Sequence, residues 1–157
     1  MICPYCNSRV YLQSSKKLYN RDFGFVWICA QYPKCDAYVG CHKGTKIPLG
    51  SPANAELRSW RRLAHSSFDV LWRRKKQRLL REDRKLRLKR NSVKYDARSS
   101  GYKWLSETLN IEFDKCHIGM FDIDKCKQVI SICKPYLNDE HINQINREIT
   151  KHKELCK

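Results

Sequence analysis

Two stretches decide the fold of this chain: CPYC at residues 3–6 and CAQYPKC at residues 29–35. Zinc binds four cysteine thiolates in a tetrahedron at about 2.3 Å, and two short cysteine pairs joined by a hairpin supply such a set. Two residues separate the first pair and five separate the second, in which a Tyr-Pro step favours a compact bend. The pattern predicts one Zn²⁺ ion held by Cys3, Cys6, Cys29 and Cys35.

The segments around these cysteines favour β-structure. VYL at residues 10–12, FVWI at residues 25–28 and AYV at residues 37–39 are rich in β-branched and aromatic residues, and NRDFG at residues 20–24 has the composition of a turn. Three such strands form a zinc ribbon, which is too small to fold on its apolar core alone. Metal binding is therefore expected to be part of its folding free energy.

Disulfide bonds are the alternative use of these cysteines. The chain has nine cysteines, an odd number that a closed set of disulfides would not use up. Met1 directly precedes the first cysteine pair, so we expect no signal peptide and a cytoplasmic protein, whose thiols stay reduced and bind metal.

The cysteine motifs also carry a resemblance. CPYC (3–6), RDFG (21–24) and the C-x-x-YPKC stretch (29–35) resemble the zinc ribbons at the C-terminus of bacterial type I topoisomerases, over residues 1–41. That family uses these ribbons to hold single-stranded DNA, and the resemblance implies the same role here. The spacing of the second cysteine pair departs from the family pattern, and the sequence shows no topoisomerase catalytic domain, so strand passage is not implied.

A longer set of motifs resembles a phage-borne family of zinc-finger-containing proteins with no assigned function. It runs from Cys3 through YVGCHKG (38–44), PLG (48–50), Arg58, AH (64–65) and FD-x-LW (68–72), and continues through WL (104–105) and HIGMFD (117–122). This resemblance implies a phage or prophage protein that acts inside a bacterium.

The charge of the chain is strongly positive and unevenly distributed. The formal net charge is +16, and one zinc ion with four thiolates would leave about +14. Residues 1–50 contain seven Lys and Arg against two acids, residues 51–90 contain fourteen against four, and residues 91–157 contain eleven against ten. Such a segregated basic surface is typical of proteins that bind a phosphate backbone, although an anionic membrane surface or simple solubility would also account for it. No segment has the roughly 18 apolar residues needed to cross a bilayer.

A linker and a long helix are expected after the ribbon. Residues 40–53 contain three Gly and two Pro and predict a loop, in which Cys41-His42 lacks a spaced ligand partner. Asn54 is the predicted cap of a helix whose aromatic stripe, through Trp60, Phe68 and Trp72, is expected to dock on the ribbon. The basic run RRKKQRLLREDRKLRLKR at residues 73–90 extends this helix, with Leu79 and Leu86 as its apolar rhythm, or forms a solvated arm.

One pair in this helix raises the question of catalysis. His65 and Asp69 lie four residues apart, which is the spacing of a general base and its orienting acid. A nuclease also needs metal-binding carboxylates or a nucleophile, and the neighbouring residues are Arg, Ser and Trp. We interpret the pair as a structural contact and assign no catalytic residue.

The C-terminal part predicts a small helical bundle. Asn91-Ser92 and Ser99-Ser100-Gly101 predict breaks in the chain, and Tyr102, Leu105 and Leu109 then mark a first short helix. A second helix is predicted from the cap Asp122 to Cys133, and a third begins at Asp139. Four further cysteines lack ligand spacing and are expected to pack as small apolar residues: Cys116, Cys126, Cys133 and Cys156.

The sequence thus predicts an α+β protein: a zinc ribbon and linker (1–50), a long basic helix (51–92) and a small helical bundle (93–157). The favoured function is nucleic-acid binding without strong sequence specificity. Single-stranded or structured DNA or RNA is favoured because aromatic rings stack on unpaired bases while cations follow the backbone, and DNA is expected as the partner more than RNA. The alternatives are a factor that captures a host bacterial protein and, more weakly, a small nuclease. The predicted contacts are Arg9, Tyr11, Lys16, Lys17, Tyr19, Arg21, Phe23, Trp27, Arg61, Arg62, Arg73, Arg74, Lys75 and Lys76.

Overall fold

A computed structural model describes the backbone of residues 1–82 and 90–155 and the side chains of residues 1–82 and 91–151. Contacts divide the chain into two compact units, Met1–Ser59 and Trp60–Lys157. The first unit contains an antiparallel sheet, and the regular elements described in the second are helices, which confirms the α+β class. Leu86, Cys156 and the end of the basic run lie outside the described residues, and so do the predictions made for them.

The first unit is a three-stranded ribbon, as the sequence predicts. Its strands are β1 (Val10–Ser14), β2 (Phe25–Cys29) and β3 (Tyr38–Gly40), hydrogen-bonded in the order β1-β2-β3 with both neighbours antiparallel. Val10 lies opposite Cys29 and Tyr11 lies opposite Ile28. Since side chains alternate between the faces of a strand, Val10 and Cys29 lie on one face of the sheet, and Tyr11 and Ile28 lie on the other.

The connection between β1 and β2 contains an element that the sequence analysis missed. A short helix, α1 (Lys16–Tyr19), precedes the turn at residues 20–24. The buried Ser15 hydroxyl ties the connection together, because it donates to the Arg21 carbonyl (3.3 Å) and accepts from the Phe23 N–H (2.6 Å). Gly24 closes the turn with a φ of +101°, a conformation that side chains disfavour.

In the described residues, four α-helices and three short 3-10 helices (Phe113–Lys115, Ile118–Met120 and Lys134–Tyr136) build the second unit. The long helix α2 (Ala55–Glu82) begins in the first unit, where Asn54 Oδ1 accepts from the Leu57 N–H at 2.9 Å and confirms the predicted cap. It is followed by α3 (Arg90–Leu109), α4 (Ile123–Cys133) and α5 (Asp139–Leu155). Asp122 caps α4 through the Lys125 N–H, again as predicted.

The aromatic stripe of α2 packs inside this helical unit. Trp60, Phe68 and Trp72 belong to one buried cluster with residues of α3, α4 and α5, including Leu105 and Ile145. The prediction that the stripe docks on the ribbon is therefore wrong. The physical reason is that α3, α4 and α5 contribute apolar residues of their own to this cluster, and packing the stripe against them removes both surfaces from water.

Helix α3 is longer than the sequence suggests. The sequence predicts breaks at residues 91–92 and 99–101, but both stretches lie within α3, so that prediction is wrong. Gly101 lies inside this helix, and a Cβ there would lie 3.1 Å from Phe68 Cζ and 3.3 Å from Trp72 Cβ. The glycine thus allows α3 to approach α2 closely, which is a packing role and not that of a helix terminator. Of the helices that the structure describes, none combines the length and apolar character that a membrane crossing requires.

Candidate metal centre and neighbouring surfaces

The first cysteine pair lies in a tight turn at the start of the ribbon. The Cys3 N–H donates to the Ser8 carbonyl (2.9 Å), and the Asn7 N–H donates back to the Cys3 carbonyl (3.0 Å). Asn7 adopts a left-handed conformation with a φ of 58°, which asparagine tolerates better than most residues. This turn buries Cys3 and leaves Cys6 exposed at the surface.

The second pair is held by the end of β2 and the loop that follows. The Tyr32 N–H donates to the Cys29 carbonyl (3.1 Å) and the Cys35 N–H donates to the Gln31 carbonyl (3.0 Å), so the five intervening residues fold into a compact bend. The Gln31 N–H also points at Cys29 Sγ, at 3.4 Å. An N–H group aimed at a ligand sulfur stabilises its negative charge.

The four predicted ligand sulfurs meet at one point. All lie within 4.8 Å of one another, with 3.6 Å between Cys3 Sγ and Cys35 Sγ and 3.3 Å between Cys6 Sγ and Cys29 Sγ. A tetrahedral ion with bonds of about 2.3 Å to sulfur requires sulfur separations of about 3.8 Å, so the two closest pairs need to open by only a few tenths of an ångström to hold it. Within the described part of the chain, the group consists of four thiols and includes no acid or histidine, which matches a structural zinc site, so the residues fit one Zn²⁺.

The protonation of two ligands differs in the absence of metal. Hydrogen bonds from the Ser8 side chain and backbone lower the pKa of Cys6 to about 6, whereas burial raises the pKa of Cys29 to about 12. Binding of zinc therefore releases a proton from the buried thiol at neutral pH, because only a thiolate is a ligand.

The arrangement defines a zinc-ribbon protein whose ion is held by cysteine alone. A protein-family model matches residues 1–136, and the chain belongs to that family, the DUF3268 family of zinc-finger-containing domains. This membership confirms the resemblance to a zinc-finger-containing family and the zinc cofactor. Neither the search of curated proteins nor the search of solved structures found a match.

An arginine that the sequence analysis left without a role anchors the start of α2 in the first unit. The Arg58 guanidinium donates to the Asp36 carboxylate (3.0 Å), to the Asp36 carbonyl (2.7 Å) and to the Ala53 carbonyl, and it lies over the Tyr38 ring at 3.8 Å. Asp36 also accepts from the Ala55 N–H at 2.6 Å, at the first turn of the helix. Since Asp36 directly follows the ligand Cys35, these contacts tie the helix start to the ligand loop.

The predicted aromatic contacts of the ribbon divide between its two faces. Tyr11 lies in one cross-strand row with Tyr38, and the Tyr19 hydroxyl donates to the Tyr38 hydroxyl (2.7 Å). The Phe23 ring meets the Tyr19 ring edge to face, with 5.8 Å between centroids. Trp27 lies on the opposite face, where its indole donates to the Lys46 carbonyl (2.9 Å) and packs against the cysteine cluster.

The predicted cations of the ribbon are all exposed. Lys16 and Lys17 lie on α1, Arg21 follows in the turn, and Arg9 precedes β1. Within the part of the chain that the structure describes, no carboxylate forms a salt bridge with any of the four. The ribbon therefore displays unneutralised positive charge beside its aromatic rings.

The predicted cations of α2 have different surroundings. Arg61 is buried in the helical unit and donates from Nε to the Phe121 carbonyl at 2.9 Å. Arg62 and Arg73 are exposed and pair with Glu148 (3.7 Å) and Asp69 (3.1 Å). Arg74 donates to a backbone carbonyl, Lys75 is exposed and Lys76 is half-buried.

The contacts of His65 and Asp69 are those of residues that stabilise the fold. Both carboxylate oxygens of Asp69 accept hydrogen bonds from other residues, Oδ1 from Trp72 Nε1 (2.8 Å) and Oδ2 from Arg73 (3.1 Å). Burial lowers the pKa of His65, and the Asp69 charge opposes this shift only in part. The carboxylate thus fixes the Trp72 indole in the core, which supports the structural interpretation.

The remaining described cysteines are separate from the metal centre. Cys41 is half-buried and forms an isolated bridge with Pro48, and neither it nor His42 belongs to the four-sulfur group. In the helical unit, burial raises the pKa of Cys116 and Cys126 to about 11 and that of Cys133 to about 12. These three thiols pack in the apolar core, as expected for small apolar residues.

Proposed function

We propose that this protein binds single-stranded or structured nucleic acid, with DNA preferred over RNA, through one face of its zinc ribbon. The observation that supports this is the exposure of Tyr11 (48%), Tyr19 (46%) and Phe23 (70%), all connected to the same side of the sheet. Large aromatic rings are usually buried, and exposed rings that share a face with free cations suit unpaired bases and their phosphates.

The cations for the backbone come from the same connection. Lys16, Lys17 and Arg21 lie in the segment that carries Tyr19 and Phe23, so bases stacked on the rings would have their phosphates within reach of these side chains. Zinc acts indirectly, because it holds the hairpin that presents the rings. Arg61 is not part of the proposed surface, since its guanidinium is engaged inside the helical unit.

The test compares aromatic variants of two surfaces. Tyr11→Ala and Phe23→Ala should each weaken the binding of a labelled oligothymidylate by about 5- to 150-fold, the factor that corresponds to stacking of one base. Tyr95→Ala is the control, because Tyr95 is at least as exposed as the two ribbon residues but lies on α3. Binding should also decrease with salt, with a logarithmic slope of about −0.7 per phosphate contacted.

The same assay separates the proposal from its rivals. Unchanged affinity of both ribbon variants would refute the proposed surface. A matched duplex that binds as tightly as the single strand would remove the strand preference. Capture of a host bacterial protein, and a phage or prophage origin with a cytoplasmic location, remain predictions of the sequence; the capture hypothesis would gain if nucleic-acid binding were weak and independent of salt.

A further inference from the structure

The helical unit contains a cavity that the proposed function does not use. It has a volume of about 500 Å³ and lies where α2 faces α3. Its wall is mostly apolar and aromatic, with two cations and two hydroxyl groups, from Phe68, Leu71, Trp72, Ala97, Gly101, Trp104, Tyr136, Arg74, Lys75 and Ser100. Cavities of this size and composition are typical of sites for small organic ligands.

Small residues on α3 leave this space open. Ala97, Ser100 and Gly101 line one side of the cavity, and none of them extends a long side chain into it. Gly101 lies so close to Phe68 that even a Cβ atom would be crowded. The lining is therefore crowded at Gly101, whereas Ser100, which also lines the cavity, is exposed.

Aromatic rings form the walls of the cavity. The rings of Trp104 and Tyr136 meet edge to face, with 5.7 Å between centroids and an interplanar angle of 89°. Trp104 is half-buried and Tyr136 is exposed, so parts of both rings remain free for a ligand. The Trp72 indole is held in place by its hydrogen bond to Asp69. Fixed ring faces of this kind bind a flat aromatic group with little loss of side-chain entropy.

The charge at the cavity is positive. Arg74 donates to the Tyr136 carbonyl at 2.6 Å, which holds its guanidinium at the rim, and Lys75 is exposed beside it. Among the described residues no carboxylate lies within 4 Å of either cation, and the lining contains no acid. A ligand that combines a flat apolar part with an anionic group would satisfy both features.

We propose that this cavity binds one unpaired nucleotide, with the base among Trp72, Trp104 and Tyr136 and the phosphate at Arg74 and Lys75. The choice of a nucleotide rests on the proposed function, whereas the aromatic and cationic site stands on its own geometry. The nucleotide comes either from a nucleic-acid strand or from the free pool, which share the same base and phosphate chemistry. An acidic peptide with an apolar side chain is the competing occupant.

The indole N–H signals of the tryptophans provide a direct test in the full zinc-loaded protein. Thymidine 5′-monophosphate, thymidine and oligothymidylate are titrated separately while the Trp104 signal is followed by NMR. We expect saturable shifts of Trp104 with the monophosphate and a weaker response to thymidine, which lacks the phosphate. Tighter binding of the oligonucleotide than of the monophosphate would identify a strand as the source, and equal binding would identify the free nucleotide.

Two pairs of matched variants test the walls and the rim. Ser100→Phe fills part of the cavity and should lower the nucleotide affinity at least fivefold, roughly the lower limit for stacking of one base, whereas Ser131→Phe on the exposed face of α4 should not. Lys75→Gln should weaken binding of the monophosphate but not of thymidine, whereas Lys103→Gln, an exposed lysine outside the cavity, should leave both unchanged.

The outcomes are distinct from those of the ribbon experiment. No shift of Trp104 with any nucleotide, or equal affinities of Ser100→Phe and Ser131→Phe, would overturn the inference even if the ribbon variants lose oligonucleotide binding. Shifts caused by an acidic peptide containing leucine but not by nucleotides would assign the cavity to that partner instead. If Ser100→Phe fails to fold, the Lys75→Gln and Lys103→Gln pair decides the question alone.

Discussion

Replacement of Arg58 by methionine should weaken zinc binding although Arg58 is not a ligand. Methionine keeps the apolar stem but loses the hydrogen bonds to Asp36 and Ala53 and the contact with the Tyr38 ring. Hydrogen bonds from a charged donor contribute about 1.5–3 kcal/mol each when desolvated. The Arg58 side chain is 26% exposed and its Asp36 partner 42%, so we take about 2–3 kcal/mol for the whole set.

This loss should be measurable as zinc affinity. Because the ribbon and its metal site form together, destabilising the fold by about 2–3 kcal/mol weakens apparent zinc binding by about 30- to 150-fold. The measurement is a competition with a chromophoric chelator at constant pH. Arg58→Lys should show an intermediate loss, since lysine keeps the charge but not the planar fork.

Arg62→Met is the matched control for this prediction. Arg62 lies one helical turn further along α2, but it is 71% exposed and its carboxylate partner, Glu148, is 3.7 Å away. Exposed pairs of this kind contribute at most about 1 kcal/mol, so its zinc affinity should equal that of the unmodified protein. Equal affinities of Arg58→Met and Arg62→Met would show that the Arg58 contacts do not support the metal site.

Three further predictions concern the helical unit, and urea unfolding followed by far-UV circular dichroism tests each of them. Phe68→Ala should lower the free energy of unfolding by about 3–5 kcal/mol, because Phe68 is fully buried; an unchanged midpoint would contradict this. Gly101→Val should lower the free energy of unfolding by about 1–3 kcal/mol, since even a Cβ atom crowds Phe68 and Trp72. A stabilised variant would show that the helices can separate freely. Burial lowers the pKa of His65, so the folded protein binds fewer protons there than the unfolded chain. Its stability should therefore fall as the pH drops below about 6.5, and His65→Leu should reduce this dependence; an unchanged pH dependence of that variant would contradict the assignment.

The metal centre and the ribbon were predictable because their signals are local. Cysteine spacing specifies a turn at each pair, and the β-prone segments between the pairs have room for only one hairpin. The Asn54 and Asp122 caps were predictable for the same reason, since a cap acts within its own first turn. The zinc ligands required no knowledge of the remaining chain.

The features that the sequence analysis missed depend on contacts between distant residues. Glycine is usually read as a helix breaker, and only the closeness of Gly101 to Phe68 shows that this glycine permits helix packing. Arg58 resembles any cation of a basic helix, and its role requires the distant backbone of Asp36. Arg61 was grouped with its exposed neighbours, whereas its carbonyl partner at Phe121 is sixty residues away. Helical periodicity identifies an apolar stripe but not the surface that it meets.

Because the helical thiols are buried, chemical labelling of the protein's cysteines would report the loss of the metal ion. At neutral pH a maleimide reacts with thiolates, and Cys116, Cys126 and Cys133 are both enclosed and almost fully protonated. Among the cysteines described, the labelling site that appears when zinc leaves is therefore Cys6, which is exposed and whose pKa is lowered to about 6 by hydrogen bonds from Ser8, whereas burial raises the pKa of Cys29 to about 12. The number of maleimide adducts, counted by mass spectrometry on an otherwise folded sample, would report how many molecules have lost their ion.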